Sequence, residues 1–244
     1  YMKKIIILCL FIIIGTLSFA LNFTIYPTKF EVDLSKSSTQ EMYIVNNTDS
    51  PLRVGIAPES DKKFGENYNL NSNIKVFPKV VSVKPAGKQI VRFRVIPDKN
   101  LKDGEYKSYI TFTEIPAEIK RSEEVSENIS SEVQMITAIM ISVYGVGENS
   151  TIDGGIKNIS TQFENEILTI SANSYSKGNT SLKFDYVING KNIKSEGRLG
   201  ISARTGNSNI TTSINLSGVK KGEKITLTIK DQTGKVHYNK NITL

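Results

Sequence analysis

Between Gln89 and Ile96 the chain alternates apolar and charged residues, with Val91, Phe93 and Val95 on one face and Arg92 and Arg94 on the other. Side chains of a β-strand project to opposite faces with a period of two, so this stretch describes a strand with one face in a core and one in water. No long segment repeats its apolar residues near the 3.6-residue period of a helix, while Ile, Val, Thr, Tyr and Phe, which suit a pleated half-buried surface, are abundant. With only 17 glycines and 7 prolines among 244 residues, the chain reads as all-β.

Lys3 and Lys4 precede an apolar stretch from Ile5 to Ile14, and the small residues Ser18 and Ala20 follow at the spacing of a signal-peptidase site. Residues 1–20 are therefore expected to be a secretory signal, with the mature chain beginning at Leu21. A membrane anchor is the competing reading. The stretch is shorter than the ~20 residues a spanning helix needs, however, and no second one follows. Cys9 is the single cysteine and would leave with the signal, so each domain has to close on apolar burial and strand pairing, without disulfides. The formal charge of +7, or +5 once Lys3 and Lys4 are gone, is spread along the chain as lysine, with no concentrated arginine or aromatic cluster. That argues against nucleic acid as a partner and reads as a solvated surface that keeps edge strands from pairing.

From Phe23 to Pro116 short strands alternate with turn signals at the spacing of a sandwich. Strands are expected at Glu41–Val45 and Leu52–Ala57, joined by a turn over Asn46–Pro51, and at Gln89–Ile96. The segment 117–131, rich in Glu, Lys, Ser and Asn, reads as a loop, and 132–144 as an unusually long strand apolar on both faces. Val133, Met135, Ile139, Ile141 and Val143 share one parity of that strand, and Ile136, Ala138 and Met140 the other. Gly145, Gly147 and the polar run Glu148–Thr151 mark a boundary, giving a first domain over 21–147 and a second over 148–244. In the second, Ile167–Ala172, Leu182–Ile188, Ile210–Leu216 and Ile225–Ile229 read as strands, with hairpin turns at Asn189-Gly190 and Asp231–Gly234.

Catalytic patterns are missing. There is no Gly-x-Ser-x-Gly elbow and no phosphate-cradling Gly-x-x-x-x-Gly-Lys loop. The lone histidine, His237, has no cysteine or carboxylate at metal-ligand spacing and is expected at the surface of a terminal strand. Glu123-Glu124 and the pair Glu31 and Asp33 supply carboxylates, but none with a cleft to work in that the sequence reveals. The expected protein is not an enzyme and uses neither cofactor nor metal.

Four stretches together resemble the N-terminal domain of the periplasmic pilus-assembly chaperones. Tyr26-Pro27-Thr28-Lys29 before Phe30-Glu31-Val32 is similar to that family's first strand, which carries a Thr-Arg pair. Phe77-Pro78, Val81 to Lys88 and Gln89–Arg92 resemble its proline, strand, Pro-Gly turn and arginine-bearing strand, and Gly104–Phe112 ending in Glu114-Ile115-Pro116 resembles its signature strand. The apolar segment 132–144, preceded by a variable loop, falls where the family places the strand it donates.

The resemblance implies two immunoglobulin-like β-sandwich domains after a cleaved signal peptide, working in the periplasm of a bacterial envelope. It implies that the chain caps surface-fibre subunits by strand donation. Its expected partners are subunits with an incomplete immunoglobulin-like fold, with an outer-membrane usher as a further candidate, and it would not span the membrane once the signal is removed. The expected partner-binding residues are Val133, Met135, Ile136, Ile139 and Ile141 on the donated strand, whichever parity faces away from the core. Lys29 is expected to hold the subunit's terminal carboxylate, as a lysine where the family has arginine. A second basic residue, expected near Ile141, is absent, and Tyr106 and Thr111 depart from the signature. Two other readings stay open: segment 132–144 as an ordinary central strand with Lys29 merely solvated, and the whole chain as a structural or adhesive tandem of immunoglobulin-like domains on the envelope.

Overall fold

The computed structural model describes residues 21–98, 101, 103–116, 135–191, 193–204 and 206–244. The expected signal at 1–20, the expected loop at 117–131 and Val133 lie outside the described residues. No helix among the described residues is long and apolar enough to cross a membrane.

Nine strands build a first sandwich: β1 (Phe23–Tyr26), β2 (Lys29–Asp33), β3 (Ser38–Asn46), β4 (Leu52–Ser60), β5 (Ile74–Phe77), β6 (Val80–Val83), β7 (Lys88–Val95), β8 (Glu105–Glu114) and β9 (Ala138–Val146). They form two sheets, ordered β1-β3-β7-β5 and β2-β9-β8-β4-β6. Alternation decides which side chains meet between them: Val91, Phe93 and Val95 point inward while Arg92 and Arg94 stay in water. Phe93 meets Phe30 edge to face at 5.0 Å, within a core that also holds Phe23, Ile44, Ile110, Phe112 and Ile141. Each such side chain contributes roughly 1.5–3 kcal/mol of burial. The turn after β3 is pinned by Asn46, whose Oδ1 accepts from the Thr48 N–H at 2.9 Å and whose Nδ2 donates to the Ser50 carbonyl at 2.7 Å.

Seven strands build the second sandwich: β10 (Gly154–Glu164), β11 (Ile167–Ser176), β12 (Leu182–Gly190), β13 (Lys194–Ser202), β14 (Gly206–Asn215), β15 (Lys224–Asp231) and β16 (Val236–Thr243). Its sheets are β10-β11-β14 and β13-β12-β15-β16, closed over Leu168, Ile170, Phe184, Ile188, Leu227 and Ile229. The two expected hairpins join β12 to β13 and β15 to β16.

Two sequence expectations shift. The strand expected at 132–144 runs from Ala138 to Val146, with Met135–Thr137 outside it. Its ladder to β8 stops at the Thr113↔Ala138 pair because β8 ends at Glu114, close to Pro116, which has no N–H to give. It extends at the other end through Gly145, where a Cβ would stand 2.7 Å from Leu34 Cδ2, so a larger residue would have to displace that side chain. His237, expected at the surface, instead has its side chain largely enclosed, its Nε2 2.7 Å from Asp231 Oδ2 and its ring edge-on to Phe184 at 5.4 Å. A bulge is the reason. The register steps from Ile229↔Tyr238 to Lys230↔Val236, leaving His237 as the extra residue turned toward the Asp231 turn.

Contacts from Asn179, Ser181 and Arg204 join the sandwiches, the Glu105 N–H donating to the Asn179 carbonyl at 2.8 Å. The Glu105 carboxylate of β8 accepts the Ser181 N–H at 2.7 Å and the Ser181 hydroxyl. Arg204, buried, donates to the carbonyls of Asp103 at 2.7 Å and Glu105 at 3.1 Å, with its guanidinium 4.1 Å from the ring centre of Tyr68 and 5.1 Å from that of Tyr106.

Candidate functional site

The site lies on the outward face and open end of the sheet β2-β9-β8. Strand β2 joins β9 in parallel, Lys29 opposite Ser142 and Asp33 opposite Val146, while β8 joins it antiparallel from Glu105↔Val146 to Thr113↔Ala138. On the β2 side, therefore, β9 is paired only from Ser142 onward. Residues Ala138–Ile141 have no strand beyond them among the described residues. The Ser142 N–H donates toward β2, to the Thr28 carbonyl at 3.1 Å, and backbone groups alternate sides along a strand. The N–H and C=O of Ala138 and Met140 consequently face the open edge. Around that edge the side chains are apolar and in water: Met135 is 87% exposed, Ile136 54% and Met140 56%.

Toward the second sandwich the same face becomes polar. Tyr144 stands opposite Glu31 on one side and Lys107 on the other. The Lys29 and Lys107 ammoniums lie 5.1 and 5.2 Å from its ring centre, where the negative ring face attracts cations. Lys29 is paired to Glu31 at 2.5 Å with both side chains at least half exposed. Lys107 is paired to Asp61 at 2.6 Å with both largely enclosed, and the Tyr109 hydroxyl lies 3.1 Å from the ammonium and 2.9 Å from the carboxylate.

These environments set the charges. Burial pushes the Asp61 carboxyl up, but hydrogen bonds from Lys107 and Tyr109 outweigh it and hold the group below the usual aspartate range. Burial likewise pushes Lys107 down, yet Asp61 and Tyr109 carry it above the usual lysine range. Glu31 is lowered first by its hydrogen bond from Lys29 and then by that lysine's charge, with a smaller contribution from Lys183 of β12 across the cleft. Lys107 is thus held as a cation. Among the described residues no three His, Cys, Asp or Glu come together as a metal site would require.

The expected site residues divide. Lys29 sits on the cleft face, and Met135 and Ile136 are exposed just ahead of β9. Ile139 faces the core parity but is only partly buried, because β2 has already left the sheet where it lies. Ile141 is a correction: paired opposite Ile110 and wholly enclosed between the sheets, it has no surface to offer a partner. Val133 lies outside the described residues. Lys107 was not among the expected residues, though the second cation of the cleft is here on β8. The signal available was its place with Tyr109 on the solvent parity of the signature strand.

The first domain of this two-domain β-sandwich presents an unpaired apolar strand segment beside a cationic cleft, an edge open to pairing with another polypeptide. The chain belongs to the pili and flagellar-assembly chaperone family: the family's PapD N-terminal domain model matches residues 22–144. No curated protein matches it closely. Among solved structures the chain is similar to the YadV chaperone at 12% identity, covering 92% of this chain and 100% of that one with a TM-score of 0.49. It is also similar to the Pseudomonas aeruginosa CupB2 chaperone, at 10% identity over 91% of this chain and 100% of that one, TM-score 0.47. The E. coli chaperone DraB gives 13% identity over 91% and 98%, TM-score 0.47.

Proposed function

We propose that this chaperone caps incomplete immunoglobulin-like subunits of a surface fibre in the periplasm, lending the open segment of β9 as the strand they lack. The observation that carries the reading is the edge at Ala138–Ile141, unpaired and flanked by exposed Met135, Ile136 and Met140. An added strand satisfies the backbone groups of Ala138 and Met140, while Ile136 and Met140, on the parity turned away from the chaperone's own core, enter the subunit's open core. Each apolar side chain so buried supplies roughly 1.5–3 kcal/mol before ordering costs. The action is binding alone, without catalysis.

Lys29 is the cation the cleft offers to a subunit's terminal carboxylate. Its exposed pair with Glu31 is worth less than about 1 kcal/mol, so an incoming carboxylate exchanges for Glu31 at small cost. Lys107 stays committed to Asp61 and contributes its field through Tyr144. The test is a pull-down of C-terminally tagged protein from the envelope fraction of its host, followed by mass spectrometry. A stoichiometric small β-rich exported protein, lost with Ile136→Asp while the variant keeps its Tm, is the expected result. A clean monomer from the unmutated chain overturns the proposal.

A further inference from the structure

The second sandwich carries a surface that strand donation does not use. On the outward face of sheet β10-β11-β14, Thr169 stands opposite Ser213, Ser171 opposite Thr211 and Asn173 opposite Asn209. Their side chains join across the strands at 3.1, 3.2 and 2.6 Å. In a chain with 31 lysines and arginines this run is uncharged, a flat array of hydroxyl and amide groups.

At its end lies Tyr175, opposite Asn207 of β14 and Gly155 of β10. A Cβ on Gly155 would stand 2.9 Å from the tyrosine oxygen, so one ring face rests on glycine backbone and the other is turned to water. The Lys157 and Lys177 ammoniums stand 5.7 and 5.8 Å from the ring centre, and neither has a carboxylate within ion-pair distance among the described residues. Lys177 is held in place by its own N–H, which donates to the Asp153 carbonyl at 2.9 Å. These groups, with Ser176 and Gly206, line an open depression of about 520 Å³, room for one sugar ring and its substituents.

We propose that this depression binds an anionic hexose, a pyranose carrying a carboxylate or a phosphate. Each part of such a sugar finds its complement. The C–H face of the pyranose lies on the free face of Tyr175, and the anion reaches the two ammoniums that the ring draws to its rim. Ring hydroxyls meet the Asn207 amide and, one row further along, Asn209. A bare anion gains no stacking from the tyrosine, and a neutral sugar gains hydrogen bonds but no charge attraction from the lysines, so both features act fully only on a charged sugar.

The experiment is a titration of the purified protein, followed by amide chemical shifts, with galacturonic acid, glucose 6-phosphate, glucose and inorganic phosphate in parallel. Saturable shifts centred on Tyr175 and Asn207 with one or both charged sugars, about fivefold tighter than with glucose, are expected. Which of the two binds tighter identifies the anion. Tyr175→Leu is expected to abolish the response and Tyr175→Phe to retain it, while the exposed double change Lys157→Gln with Lys177→Gln removes the preference for charge without touching the sheet. Equal responses to phosphate alone, equal responses to glucose, or none with any sugar overturn the proposal. Because β9 is untouched by these variants, subunit capture serves as a separate readout, and failure of one proposal leaves the other standing.

Discussion

The two sandwiches treat their strand edges in opposite ways. In the second, β10 carries a register break between Lys157 and Ser160, with Asn158 at φ 53°, and the pairings of β13 and β16 are broken beside Asp185 and Lys230. Bulges of this kind twist an edge and spoil it as a template for another chain. In the first, β9 keeps an unbroken register with both neighbours and then runs four residues past the point where β2 leaves it. Both domains close over an apolar core, rich in valine and phenylalanine in the first and in leucine and isoleucine in the second. A smooth apolar edge is costly to expose, and under the proposed function its presence in the first domain is where a subunit would pair.

Blocking that edge gives the largest expected effect. Proline at position 140 removes an N–H that faces open solvent and leaves the ladder to β8 intact, so Met140→Pro should fold with a Tm lower by only a few degrees. Subunit binding, measured by co-purification or calorimetry, should fall at least about 100-fold. Undiminished binding would erase the distinction between the two domains.

Charge pairs sharpen the comparison at a smaller scale. Lys107→Met strands the enclosed Asp61 carboxylate in the first sandwich and should cost about 3 kcal/mol in urea unfolding. Arg198→Met, which breaks the exposed 2.9 Å pair with Asp185 in the second, should cost less than about 1 kcal/mol. Equal losses would mean that enclosure on the cleft face is not what makes the first pair matter.

The smallest effect is in pH. Asp61 is lowered in the folded state, so its contribution is complete above about pH 4 and is lost as pH falls through the lowered value. Lys107 is raised, so the same interaction is complete below about pH 10 and is lost only as pH rises through the raised value. The stability gap between the unmutated protein and Lys107→Met should stay constant from about pH 5 to 9 and shrink in stronger acid. A gap that changes near neutrality would point to a different partner for Lys107.

What the sequence made legible follows the range of the interactions involved. The alternation at Val91, Phe93 and Val95 is local and appears in β7 as read. Segment 132–144 was recognisable as apolar, but which of its residues are buried depends on register with β8, and so Ile141 passed for a contact residue while it lies opposite Ile110 in the core. Lys107 comes beside Lys29 only because β2 pairs parallel and β8 antiparallel to the same strand, a relation between residues 78 positions apart that no spacing rule encodes. Strand β10, with Lys157, Asn158, Ser160 and Gln162 in succession and a bulge among them, presents no clean period to find. The burial of His237 likewise rests on one extra residue in a hairpin.

Arg204 has a mechanical consequence. The elbow between the two arms is gripped by a guanidinium, and the things it grips are main-chain carbonyls and the faces of Tyr68 and Tyr106. Carbonyl dipoles and aromatic faces do not titrate near neutrality, and dissolved ions screen them less than they screen a pair of opposite charges. This grip therefore depends less on salinity than an ordinary ion pair would, and together with the contact of Glu105 to Ser181 it sets the angle between the arms.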